Sequence, residues 1–235
     1  MLASFILLLK MRNQRKPEEQ IAINLVSAAL REAGNEVIED TNFCDKPDWV
    51  FSINGKRVAA ECRLISIEKL MEWSNCKRKM LPDKNYKITF PLEPHIWIKK
   101  AIEDKEGKIS EYLNNSSSEE AWLITHSDFK AGISLYECND WMLNLMKSAA
   151  AAVTSEFRSI WFVHPEAGAN RLWDISEPRI DFPSLDVSEG YYPTASYMML
   201  IGTLTNSDWL ASIGAENTEV ITLQPLDKRY KIEEE

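Results

Sequence analysis

Two acidic residues, Asp48 and Glu61, lie on either side of Asn54-Gly55, the strongest turn signal in the chain. The runs before and after this dipeptide are rich in β-forming residues, and the pattern predicts a hairpin with a two-residue type I′ loop. Because the loop length fixes the register of the two strands, Asp48 is predicted to stand opposite Glu61. Two carboxylates are therefore expected on the same face of a sheet.

Such a pair is costly unless something neutralises it. The register makes it a non-hydrogen-bonded pair, with Cα atoms about 4.5 Å apart, and like charges directly opposite each other destabilise a sheet. Mg²⁺ takes oxygen ligands and is commonly held by one or two carboxylates, so it is the predicted occupant. Arg63 projects from the same face as Glu61, where its charge could hold a phosphate oxygen. The alternative is that Asp48 is a turn residue, with Lys46 and Arg63 as simple ion-pair partners.

Periodic apolar residues predict the elements around this hairpin. Pro17 and the two acids after it suit the start of a helix, and Gly34 suits its end. Asn139 or Asp140 suits the cap of a later helix. We predict helices at 17–33, 67–73, 94–113 and 140–157, and strands at 37–41, 121–125, 160–163, 197–204 and 220–223.

The hairpin residues resemble the signature of the PD-(D/E)XK nuclease superfamily. Pro47-Asp48 is followed, after twelve residues, by Glu61-Cys62-Arg63. The order of helix, strand, hairpin, helix and strand over about residues 15–127 is also similar to the core of that family. The resemblance implies an α/β fold with a restriction-endonuclease-like αβββαβ core, in which helices flank a mixed central sheet. This core would occupy residues 1–164, and residues 165–235 would form a C-terminal β-rich extension packed on the same domain.

The resemblance also implies a role for each matched residue. Asp48 and Glu61 would bind Mg²⁺ or Mn²⁺, with the carbonyl of Cys62 as a further ligand. Glu19, or failing that Glu18, would be the acid that the first helix supplies. The implied reaction is hydrolysis of phosphodiester bonds in DNA, in which the ion lowers the pKa of a water molecule and offsets charge on the phosphate.

Arg63 departs from the family pattern, because it stands where the family has a lysine. Arginine stays charged and cannot act as a base, whereas a desolvated lysine can lose its proton. Arg63 is therefore predicted to act through its charge, and Lys99 or Lys100 of the next predicted helix is the candidate to replace the missing lysine. The alternative is a degraded site, in which case the protein binds nucleic acid or a protein partner without cutting.

Charge is distributed unevenly along the chain. The net charge of −9 divides into +3 for residues 1–108 and −12 for residues 109–235. The basic half contains a dense run of cations directly after the motif, which suits a track of phosphate groups, although a solvated charged face has the same composition. The run comprises Lys77, Arg78, Lys79, Lys84, Lys87, Lys99 and Lys100. Two roles stay open for the acidic half, which could bind a protein partner or shield the site.

Other features of the sequence narrow the class of protein. The four cysteines show no CxxC spacing and no disulfide framework, which predicts reduced thiols and a cytoplasmic protein. No P-loop or GxGxxG motif is present, and the apolar run 2–9 is far shorter than the ~20 residues that span a membrane. His126 and His164 each follow a predicted strand and could share a site at a sheet end, although satisfied core histidines are the simpler interpretation. The sequence is compatible with a homodimer. A further alternative is an unrelated acidic α/β interaction protein, in which Asp48 and Glu61 are incidental.

Overall fold

The computed structural model of the protein describes residues 16–40, 46–65, 85–127, 138–181, 194–200 and 218–222. The chain divides into two compact units, Met1–Ile65 with Trp97–Pro183 and Ser66–Ile96 with Ser184–Glu235. This division differs from the predicted boundary at residue 164, because each unit combines segments that are distant in the sequence. The predicted helix at 67–73 lies outside the described residues.

The first unit is built on a six-stranded mixed sheet, whose strands in spatial order are β1 (Val37–Glu39), β2 (Trp49–Ile53), β3 (Lys56–Leu64), β5 (Glu120–His126), β6 (Ser159–His164) and β7 (Gly168–Asp174). Strands β1, β2 and β3 pair antiparallel, β3, β5 and β6 pair parallel, and β7 returns antiparallel to β6. An α/β class with a mixed sheet and flanking helices is thus confirmed. The helices of this unit are α1 (Pro17–Glu32), α2 (Pro94–Glu106, which belongs to this unit from Trp97 onward), α3 (Ile109–Ser116) and α4 (Asp140–Ala152).

The second unit contains a three-stranded sheet centred on β4 (Asn85–Pro91). Strand β4 pairs antiparallel with β8 (Thr194–Leu200) and parallel with β9 (Thr218–Thr222). The predicted strands at 197–204 and 220–223 overlap β8 and β9. The sequence predicted no strand at β4, whose two partners both come from the far C-terminal part of the chain.

The hairpin between β2 and β3 has the predicted register. Ile53 pairs with Lys56, and Phe51 pairs with Val58. Asn54 has φ 51° and Gly55 has φ 81°, as a type I′ loop requires at both central positions. The backbone N–H of Glu36 donates a hydrogen bond to Asn54 Oδ1 at 2.8 Å, which ties the loop to the residue before β1.

Helix α1 covers one face of this sheet. Its apolar residues Ala22, Ile23, Val26 and Leu30 are buried in one cluster with alternate residues of the strands. On β3 these are Val58, Ala60 and Cys62, so the residues between them face the other side of the sheet. Glu61 therefore projects from the face opposite α1.

The predicted helix at 94–113 is wrong as a single element. The chain forms α2 and α3 in its place, separated at Gly107 and Lys108. Glycine weakens a helix interior, and the side chain of Glu106 accepts bonds from Ser155 Oγ at 2.5 Å and from the backbone N–H of Glu156 at 2.7 Å. These contacts fix the end of α2. In the described part of the chain, every helix is too short or too polar to traverse a lipid bilayer.

Candidate active site

The start of β2 and the middle of β3 bring the two predicted acids together. Strand β2 begins at Trp49, which pairs with Ala60, and continuing this register by one residue sets Asp48 opposite Glu61. The backbone N–H of Cys62 donates a hydrogen bond to Asp48 Oδ2 at 2.8 Å. This bond holds the Asp48 side chain against β3, although Asp48 itself lies one residue before the start of β2.

The environment of Asp48 strongly disfavours its charged form. Burial, and then the charge of Glu61, raises the pKa of Asp48 to about 7, and Glu19 adds to the effect. The hydrogen bond from Cys62 and the charge of Lys105 act in the opposite direction. The two carboxylates therefore interact at short range, as a like-charge pair does when it is shielded from water.

Glu61 is 6% exposed, and it forms a close ion pair through its Oε1 with the Nζ of Lys105. The side chain of Lys105 is only 17% exposed. Lys105 belongs to α2, the helix on which the sequence pointed to Lys99 or Lys100. Lys99 is instead exposed and lies 3.9 Å from Glu103, and Lys100 is also exposed.

The position of Lys105 on α2 could have identified it. It lies seven residues after Ile98 and four after Ala101, both of which are buried. These spacings align it with the apolar stripe of the helix, whereas Lys99 is displaced from that stripe. A lysine that continues an apolar stripe is a candidate for a buried ion pair with an acid on the sheet.

Arg63 projects from the same face of β3 as Glu61. Its guanidinium contacts Asp104 Oδ2 at 2.8 Å, and both side chains are 38% exposed. This exposed ion pair contributes little to stability. Arg63 therefore lies at the rim of the site, while Lys105 is the cation in contact with the acid pair.

Glu19 is the helix acid whose charge acts on Asp48. It lies in the first turn of α1, its side chain is 13% exposed, and its Oε1 is 2.6 Å from Lys16 Nζ. Its charge acts on Asp48 and also, together with burial, raises the pKa of the Cys62 thiol. That thiol is buried in the cluster under α1, so Cys62 could serve an ion only through its backbone carbonyl.

Tyr112 of α3 is a component that sequence reasoning missed. Its side chain is 1% exposed, and its hydroxyl has no hydrogen-bond partner among the described residues. Burial, and then the charge of Glu61, raises the pKa of Tyr112, so the hydroxyl is near that carboxylate and retains its proton. No local signal distinguishes this tyrosine from an ordinary core residue.

The donor set suits a hard cation that needs few protein ligands. Within the described ranges, no group of three or more His, Cys, Asp or Glu side chains is arranged to hold a metal. Asp48 and Glu61 nevertheless supply two carboxylates, and Mg²⁺ is usually bound by one or two together with water. The hydroxyl of Tyr112, which has no partner in the segments that the structure describes, is a further polar atom near Glu61. The residues fit Mg²⁺ and do not form a zinc-type cage.

The two candidate histidines do not share a face of the sheet. His126 pairs with Val163 across β5 and β6, and Val163 belongs to the cluster under α1. His164 follows Val163 and so faces the other side, where its Nδ1 accepts bonds from the backbone N–H groups of Glu166 and Ala167. The register thus disfavours a common histidine site.

The predicted phosphate track is mostly beyond what the structure describes. Lys87 lies on β4 in the second unit. Lys77, Arg78, Lys79 and Lys84 lie outside the described residues.

The raised pKa of Asp48 predicts how stability depends on pH. The native pKa is about 7 and the unfolded one about 3.9, so the native state binds this proton more tightly. The stabilisation of the native state by protonated Asp48 is complete below pH ~4, and it is lost as the pH rises through about 7. We expect metal-free Asp48→Asn to exceed the wild type in unfolding free energy by about 1–2 kcal/mol at pH 8 and to match it more closely at pH 5.

Urea denaturation in EDTA at the two pH values measures this difference. Asparagine retains the side-chain oxygen that accepts from Cys62, so the comparison isolates the charge. An equal difference in unfolding free energy at pH 5 and pH 8 would contradict the assignment of the raised pKa to Asp48.

Searches of the chain against protein-family models, curated protein sequences and solved structures each gave no match.

Proposed function

We propose that the protein is a metal-dependent nuclease that hydrolyses phosphodiester bonds in DNA, on a core similar to that of the restriction-endonuclease-like proteins. The observation that carries the proposal is the crowding of Asp48 and Glu61 on one face of a hairpin, with Lys105 against Glu61. The element order α1, β1, β2, β3, α2 and β5 agrees with the αβββαβ arrangement, once two elements are taken as additions, β4 between β3 and α2 and α3 between α2 and β5.

Asp48 and Glu61 would hold Mg²⁺, or Mn²⁺ in its place. When bound, the ion supplies positive charge to a phosphate group and lowers the pKa of water. Glu61 is buried and Asp48 is half-buried, and their repulsion gives the pair a physical reason to accept a divalent cation. The backbone N–H of Cys62 already fixes the orientation of Asp48.

The other charged residues would act on the substrate. Lys105 reaches the acid pair from α2 and would hold a non-bridging oxygen of the scissile phosphate, a role that needs only a positioned positive charge. Arg63 at the rim would bind a neighbouring phosphate. Glu19 is the third carboxylate close to Asp48, and it would orient the attacking water and accept its proton.

Cleavage of DNA tests this proposal. Purified protein is incubated with supercoiled plasmid in Mg²⁺, in Mn²⁺ and in EDTA. We expect nicking or cutting with either metal and none in EDTA. Intact plasmid under every metal condition would overturn the assignment of nuclease activity.

One observation favours a second function, a catalytically inactive nuclease-fold protein that binds nucleic acid or a protein. Lys105 already neutralises Glu61, so the pair can be satisfied without a divalent ion. In that case plasmid stays intact while DNA binding persists and weakens steeply as salt is raised. A filter-binding titration at two salt concentrations, run beside the cleavage assay, separates the two functions.

A further inference from the structure

Tyr112 combines deep burial with an unused hydrogen-bonding group. Its side chain is 1% exposed, and its hydroxyl has no hydrogen-bond partner among the residues that the structure describes. Leaving a buried polar group unsatisfied costs about 1–3 kcal/mol, whereas phenylalanine would fill the same volume without this cost. The hydroxyl therefore requires an explanation beyond packing.

The surroundings of the hydroxyl connect it to the acid pair. Helix α3 packs on β3 and β5, and the charge of Glu61 acts directly on the phenol. Because the phenol keeps its proton, it can act as a hydrogen-bond donor to that carboxylate. Oε1 of Glu61 is engaged by Lys105.

Tyr112 differs from Lys105 in a way that matters for cation binding. An ammonium group and a divalent ion repel each other when both approach Glu61. A neutral hydroxyl can donate to the carboxylate without this repulsion. Outer donors of this kind orient the ligands of a metal ion and raise its affinity.

We propose that Tyr112 is a positioning residue whose hydroxyl donates a hydrogen bond to Glu61 when a divalent cation binds there, and so holds this carboxylate in place as a ligand. The inference rests on the proposed function of the Asp48–Glu61 pair as a metal site. It adds a determinant of cation affinity that lies on α3, outside the hairpin and its motif.

The test compares cation affinity with metal-free stability in the full-length chain. For Tyr112→Phe we expect Mn²⁺, followed by electron paramagnetic resonance of the free ion, to bind about 10-fold more weakly than to the wild type. The melting temperature in EDTA is expected to be equal or higher, because the variant loses an unsatisfied hydroxyl. Ser127→Ala is the matched control, since Ser127 Oγ is also buried and has no partner in the described part of the chain, and the Mn²⁺ affinity of this variant should not change.

The other possible outcomes contradict either the positioning role of Tyr112 or the metal site itself. If Tyr112→Phe binds Mn²⁺ as tightly as the wild type, the positioning role is overturned while the metal site stands. If the wild type binds no Mn²⁺, the metal site fails and the role of Tyr112 fails with it. A second measurement needs no variant: Mg²⁺ added to the wild type should give a tyrosine difference signal in the near-ultraviolet spectrum, and a flat difference spectrum would overturn the inference.

Discussion

Glu61→Gln is expected to lower the rate of Mg²⁺-dependent DNA cleavage by about 10²–10³-fold. The substitution preserves the shape of the side chain and removes one of the two charges proposed to hold the cation. Charge stabilisation by a bound metal ion contributes several kcal/mol to catalysis, and each 1.36 kcal/mol is a factor of ten in rate. Initial rates of plasmid nicking at saturating Mg²⁺ measure the loss.

The control for this prediction is Glu120→Gln. Glu120 lies on the neighbouring strand β5, and its Oε1 is 2.5 Å from Lys56 Nζ at the start of β3. It is thus a second strand glutamate paired with a lysine, but it is remote from Asp48 along the sheet. The control should cut at the wild-type rate, and circular dichroism should show both variants folded. Equal activity of Glu61→Gln and the wild type would rule out Glu61 as a catalytic ligand.

Lys105→Met is expected to lower the free energy of unfolding of the metal-free protein by about 3 kcal/mol at pH 8. The substitution removes the cation that contacts Glu61, and the Glu61 side chain is 7% exposed. Removing one partner of a buried ion pair leaves the other charge without compensation, and here that charge also faces Asp48. Urea denaturation in EDTA measures the change.

Two further variants test the cause of this loss. Lys56→Met removes the partner of Glu120, but this lysine is 48% exposed, so its loss should cost less than ~1 kcal/mol. The double variant Lys105→Met with Glu61→Gln should recover most of the stability, because it removes both charges of the pair. Excess Mg²⁺ should also restore part of the stability of Lys105→Met through binding to the native state. If Lys105→Met is as stable as Lys56→Met, the ion pair with Glu61 is not a buried one.

Local signals explain the parts of the fold that the sequence predicted. The Asn54-Gly55 loop, helix α1 and the buried strands β5 and β6 each depend on residues within one short segment. The capping residue of α4 is also local, since Asn139 Oδ1 accepts from the backbone N–H of Met142 at 3.0 Å. The register of the hairpin followed from the loop alone, and with it the pairing of the two acids.

The remaining parts depend on contacts between distant segments. Lys105 contacts Glu61 from helix α2. Tyr112 lies near the same carboxylate on helix α3, whose start is set by the break at Gly107. Strand β4 finds its partners only near the C-terminus. Hydrophobic periodicity can identify Lys105 as a lysine on the apolar stripe of α2, but it does not identify Glu61 as its partner. The structure places Lys105 against Glu61, whereas Lys99 and Lys100 are exposed.

The two-residue loop of the hairpin also bears on the order in which the chain folds. Closing so short a loop costs little chain entropy, and hairpins form within about 1–10 μs. Lys105, by contrast, is 44 residues from Glu61 in the chain and arrives only when α2 docks. The hairpin therefore forms while Asp48 and Glu61 repel each other and before Lys105 is in place. Apolar pairs such as Phe51 with Val58 must hold the two strands together until α2 docks.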